Sequence, residues 1–131
     1  MKTLKMFTIF ALVLMMSSCV TTTKFPVSTI TPAADIVFKN KHDKNGNIKI
    51  TVIAKNLAAV GRIEPPENVY VVWLVTENDG VRNIGVLKNK NAKTTGLETL
   101  SPFKFSEAFI TAEHEATASF PSGIEISRIR F

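Results

Sequence analysis

The chain has 131 residues, of which 45% are hydrophobic and 21% charged, with a formal net charge of +5, one cysteine and two histidines. This is ordinary globular composition, enough for one domain with a workable core. The basic excess is spread thinly and forms no basic run, which speaks against nucleic acid as a partner.

In chain order, Met1, Lys2, Thr3, Leu4 and Lys5 bring two lysines and no acid, and "MFTIFALVLMM" (6–16) follows with only Thr8 polar. A membrane-crossing helix needs about 20 apolar residues. A basic start, a short apolar run and the small Ser17 and Ser18 describe a signal peptide over residues 1–18. Cys19 comes next. Small-small-Cys after such a run resembles the bacterial lipobox, with Met16 where leucine is usual. That resemblance implies a diacylglyceryl group on the Cys19 thiol and cleavage before it. The product is a lipoprotein anchored in the bacterial cell envelope, facing the periplasm or the cell surface. A lone cysteine in an exported chain also lacks a disulfide partner, and several acyl chains together anchor firmly. The alternative is a plain secreted protein cut nearby. Without Lys2 and Lys5, 14 basic residues stand against 11 acidic ones. The densest basic patches, near residues 45 and 90, read as solvated loops.

"VTTTKFPVSTITPAA" (20–34) is rich in threonine and proline and reads, with Cys19, as an extended tether over residues 19–34. The domain proper is expected at 35–131. "DIVFK" (35–39) is a short strand, and Asn45-Gly46 marks a turn. Ile48, Ile50, Val52 and Ala54 alternate with Lys49, Thr51, Ile53 and Lys55, the period of a half-buried strand. "EPPEN" (64–68) breaks regular structure. "VYVVWLVT" (69–76), apolar at odd and even positions, is a central strand with both faces covered.

"ENDG" turns the chain into "VRNIGVLKN" (81–89), and "TTGLETL" adds a short edge strand. "FKFSEAFITAEHE" (103–115) puts Phe103, Phe105, Glu107 and Phe109 on one side, and "IEISRIRF" (124–131) is the last strand, with Phe131 packing at the end of the sandwich. No segment has amphipathic helical spacing, and turn signals recur at an all-β rhythm. About seven strands predict an antiparallel, immunoglobulin-like β-sandwich, with a small barrel as the alternative.

"YVVWLVTENDGVRNIGVL" resembles the tyrosine-x-x-tryptophan-leucine hairpin and the following glycine-valine/alanine-leucine strand of the extracytoplasmic domain of anti-sigma-K factors. "FITAEHEATASFPSG" resembles that domain's strand ending in threonine-x-glutamate and its proline-glycine turn. Tyr70, Trp73, Leu74, Gly85, Ile110, Thr111, Glu113, Pro121 and Gly123 carry the likeness, over about Ile48 to Ile129. It implies an immunoglobulin-like sandwich outside the cytoplasmic membrane, with these residues mainly structural. Family members also carry a cytoplasmic helical domain and a transmembrane helix, which this sequence lacks, so the resemblance does not extend to sequestering a sigma factor. The family's double glycine between glutamate and proline is replaced by "EHEATASF".

No catalytic, metal or cofactor site is expected. In "EHE" (113–115), strand alternation sends His114 away from Glu113 and Glu115, and His42 sits in a lysine-rich turn. Ser119 and Ser122 lie in a proline turn without the setting of an activated nucleophile. Trp73 is expected between the sheets; the alternative is a sugar-stacking platform. Two functions follow. One is a non-catalytic, lipid-anchored interaction module for a protein or cell-envelope partner, in envelope sensing or assembly. The other is a carbohydrate-binding or adhesin-like accessory lipoprotein.

Overall fold

The computed structural model describes residues 19–91 and 93–131; the expected signal peptide, 1–18, lies outside them. Among the described residues nine strands form two antiparallel sheets. In chain order they are β1 (Thr21–Lys24), β2 (Asp35–His42), β3 (Ile48–Lys55), β4 (Val69–Thr76), β5 (Val81–Val86), β6 (Lys88–Asn89), β7 (Thr94–Ser101), β8 (Phe105–Glu113) and β9 (Ile124–Arg130). One sheet has the order β1-β2-β3-β7-β6, the other β5-β4-β8-β9. Hairpins join β2 to β3, β4 to β5 and β8 to β9, and the chain changes sheet after β3, β5 and β7. These crossings set β7 beside β3 and β8 beside β4, the Greek-key arrangement of an immunoglobulin-like sandwich.

Alternation builds the core. Ile48, Ile50, Val52 and Ala54 of β3 are buried and meet Tyr70, Val72 and Leu74 of β4 and Ala108, Ile110 and Ala112 of β8. The β2–β3 turn forms where Asn45-Gly46 predicts it. Asp43 Oδ1 accepts the backbone N–H of Asn45 at 2.8 Å and of Asn47 at 2.9 Å, and Gly46 takes φ +81°. At this end Phe38, Phe105 and Phe131 form an aromatic trio with centroids 5.2–5.7 Å apart. Phe131 therefore packs as expected.

Several sequence expectations are corrected. Residues 19–34 are not a free tether. Thr21–Lys24 pairs with β2 in the register Thr21↔Asn40 to Lys24↔Val37. Phe25 enters the core at 3% exposure and meets Phe38 edge-on at 6.4 Å. Ser28 Oγ accepts the N–H groups of Ile30 and Thr31, and Ser127 Oγ donates to the Pro26 carbonyl at 2.8 Å. The segment thus spans from one sheet to the last strand of the other, and the domain begins near residue 21. Thr94–Ser101 is a full strand of 8 residues rather than a short one. On its far side β6 pairs with Thr95 and Gly96 alone, so among the described residues 97–101 remain at the sheet edge. The expected strand 81–89 is two strands in different sheets, β5 and β6, parted at Leu87. Phe105 and Phe109 do not share a side. The pairing of β8 with β4 shifts register between Val75 and Thr76, sending Phe105 to the aromatic trio and Phe109 to the outer face.

Phe25→Ala should cost about 3–5 kcal/mol, the usual penalty for emptying a buried aromatic site. A chain beginning at Asp35 should unfold at a lower urea concentration than one beginning at Val20, read by far-ultraviolet circular dichroism. Equal midpoints would return residues 20–34 to the role of a passive tether.

Candidate functional site

Strand β4 is apolar from Val69 to Val75, and its two faces go to different places. Tyr70, Val72 and Leu74 enter the core between the sheets; Val71 and Trp73 form a second buried cluster with Phe109. Trp73 is buried, as expected, but on the outside of the four-stranded sheet and not between the sheets. Period two demands this once residues 72 and 74 point inward. Its ring stacks on Phe109 at 6.2 Å and 15°. The Arg128 guanidinium lies 4.0 Å from the Phe109 ring centroid, held there by Glu107 and Glu125.

Loop 114–123 closes over this cluster, bringing Ala118 against it. A chain of hydrogen bonds fixes the loop. Trp73 Nε1 donates to Thr111 Oγ1 at 2.8 Å, and the Thr111 hydroxyl donates to Glu113 Oε1 at 2.6 Å. The Glu113 carboxylate, 1% exposed, then accepts the Ser122 N–H, the Ser122 hydroxyl and the Gly123 N–H at 3.0–3.1 Å. Burial alone would raise the Glu113 carboxyl, but the bonds from Thr111, Gly123 and Ser122 outweigh it and hold the group below the ordinary carboxylate value. From β5, Asn83 Nδ2 donates to the carbonyls of Ala116 and Ala118 at 3.0 and 2.9 Å. Gly123 is required by space, since a Cβ there would stand 1.7 Å from the Ala112 carbonyl oxygen. With its lone pairs engaged, Glu113 positions backbone.

Topology separates two ends of the sandwich. Cys19, exposed, stands just before β1, at the end that carries the 43–47 turn. The other end holds a cleft of about 450 Å³ between residues 57–61, the start of β4 and the crossing from β5 to β7. Tyr70 forms one wall. Its hydroxyl donates to the Ala58 carbonyl at 2.7 Å, and burial pushes the phenol up to about 12. Asn68, Asn89, Asn91 and Thr95 bring amide and hydroxyl groups to the lining. Asn68 Nδ2 donates to the His114 carbonyl at 3.0 Å and so ties the cleft to loop 114–123, on which Phe120 is 68% exposed.

Among the sequence-expected residues, Trp73, Thr111, Glu113 and Gly123 converge in the one network. Leu74 is in the core, and Pro121 is half-buried in the loop. Gly85 sits at φ +134° beside a register shift in β4–β5, where a Cβ would lie 2.9 Å from Leu97 Cδ1. Strand β8 ends at Glu113, so Glu115 and His114 are exposed on the loop and Glu115 does not share the face of Glu113. Among the described residues no three His, Cys, Asp or Glu side chains gather as metal ligands, and no helix is long and apolar enough to cross a membrane. Sequence reasoning missed Asn83, the role of Ser122 as a donor to Glu113, and the cleft. Their one signal is an acid two residues after a threonine inside an apolar strand, which must find donors once buried.

Glu113→Ala should lower stability by about 1–3 kcal/mol, the cost of leaving buried donors unmet. Because folding lowers the Glu113 pKa, the stabilisation it gives is complete above the unfolded value and fades as pH falls through the folded one. The gap between wild type and variant should therefore narrow in urea melts run at progressively lower acidic pH. Gly123→Ala should be at least as damaging. Acrylamide should quench the single tryptophan weakly; strong quenching would place Trp73 on the surface.

Compared with known proteins, the chain has no significant match to any family model, curated protein or solved structure.

Proposed function

We propose that this chain is a non-catalytic interaction module anchored to the bacterial envelope by lipid on Cys19, presenting the cleft and loop 114–123 to a protein or cell-envelope partner. The observation that carries the reading is polarity along the strands. Cys19 and the cleft lie at opposite ends of eight-residue strands, a separation of about 25 Å at the rise of a β-strand. An anchor at one end leaves the other free for contact. Supporting the anchor, Cys19 is exposed and unbonded to any other cysteine, and it follows a segment with signal-peptide character. Supporting the recognition surface, loop 114–123 is held in one shape by Glu113 and Asn83 while exposing Phe120. A preorganised loop with an aromatic tip loses little entropy on binding.

The carbohydrate-binding reading needs an aromatic platform other than Trp73, which is 0% exposed. It would fall instead to the amides of Asn68, Asn89 and Asn91 in the cleft.

Cys19→Ala should abolish palmitate labelling and release the protein from the membrane fraction. Unchanged labelling and fractionation would remove the anchor. A photo-crosslinking residue at position 120 or 89 should capture a partner in intact cells, whereas one at Lys44 in the opposite turn should not. Capture from position 44 alone would move the recognition surface to the other end.

A further inference from the structure

We infer that the outer face of the five-stranded sheet is a docking surface for an anionic phospholipid bilayer. The pairing registers set Lys24, Lys39, Lys41, Lys49, Lys55 and Lys88 on this one face, opposite the side chains that enter the core. Lys90 lies over it as well, with its side chain against Gly96. The only acids among these positions are Asp35 and Glu98, bridged to Lys24 at 3.4 Å and Lys49 at 2.7 Å. Seven lysines against two carboxylates give the face a charge of +5, while the remainder of residues 19–131 holds seven basic and nine acidic residues. The domain is therefore strongly dipolar although its net charge is small. Among the described residues no carboxylate pairs with Lys39, Lys41 or Lys55.

Three features favour a bilayer over another polyanion. The charge lies on a broad, shallow sheet face rather than in a groove that could track a single chain. The partly buried Val37 and Ile53 sit between the lysines, and Leu100, 60% exposed, stands on the same face. Lysine stems can lie along such apolar surface while their ammonium groups reach headgroup phosphates. Continuity with the anchor is the third. Only Val20 separates Cys19 from β1, and Val20 lines the same shallow hollow as Lys39, Lys41 and Lys49. Two residues reach about 7 Å, within the screening length of about 10 Å at 0.1 M salt. With the face on the bilayer the strands run along the membrane, so their length parts the cleft from Cys19 along the surface. Loop 114–123, on the outer side of the other sheet, is the part turned to solvent. The proposal rests on the lipidated Cys19 for its orientation, but not for its charge.

The test uses the mature protein purified from the membrane, its acylation read by intact mass, and placed on vesicles of phosphatidylcholine with or without phosphatidylglycerol. Amine acetylation is followed lysine by lysine. On vesicles containing phosphatidylglycerol, Lys39, Lys41 and Lys55 should react at least about threefold more slowly than on phosphatidylcholine alone, and about 0.5 M salt should restore them. Lys104, in the crossing from β7 to β8, should be unaffected. The double variant Lys39→Gln, Lys41→Gln should lose the protection at Lys55, whereas Lys104→Gln should keep it. Equal reactivity on both vesicle types overturns the proposal whatever the mass shows. Protection in an unacylated protein would uphold the face and remove the anchor, so the two failures are told apart.

Discussion

Strand β4 is apolar on both faces, and covering its second face shapes half of the molecule. One side is buried by the opposing sheet, at no extra cost in topology. The other side, with Val71 and Trp73, has no third layer to pack on. The fold meets this with loop 114–123, which has too few apolar residues to stay down by packing alone. A buried carboxylate supplies the attachment. Glu113 can remain ionised at 1% exposure only because donors converge on it. Each of those donors comes from the loop or from the residue that bonds Trp73. The tryptophan, the threonine, the glutamate and the loop are therefore one unit.

The sandwich was legible from alternation in β3, from the doubly apolar β4 and from the Asn45-Gly46 turn. Each of these is local, and nothing distant competes with it. What was not legible depends on contacts far apart in sequence. The face chosen by Trp73 depends on Tyr70, Val72 and Leu74 winning the inner side, and nothing in "YVVWLV" ranks the two faces. The split of residues 81–89 between sheets turns on Leu87, whose N–H bonds to the Tyr70 carbonyl. The role of β7 was hidden because its threonines and glycine dilute the strand signal, although Thr95 and Ser101 are buried.

The candidate site was half legible. Residues such as Glu113 and Trp73 could be singled out, but their spacing does not announce a hydrogen-bond chain. Glu113 and Ser122 are nine residues apart, joined only by the path of the loop. The cleft drew no attention because asparagines in turns ordinarily serve the backbone, as Asn91 does for Lys93 and Thr94.

The N-terminal segment was misread for a reason of composition, and the error bears on how the molecule would be held. Threonine-rich, proline-broken sequence is also what a sandwich uses to lay a short edge strand and cross between sheets. Phe25 supplies the apolar insertion, and Pro26 offers its carbonyl to Ser127. As a result the chain from Val20 onward belongs to the rigid body. A group attached at Cys19 is coupled through β1 to β2, and through residues 25 and 26 to both the core and β9. A free tether of sixteen residues would decouple the domain's orientation from its attachment point. Here the strand pairing fixes which face lies beside residue 19 and which rim lies farthest from it, so orientation at a surface becomes a property of the fold.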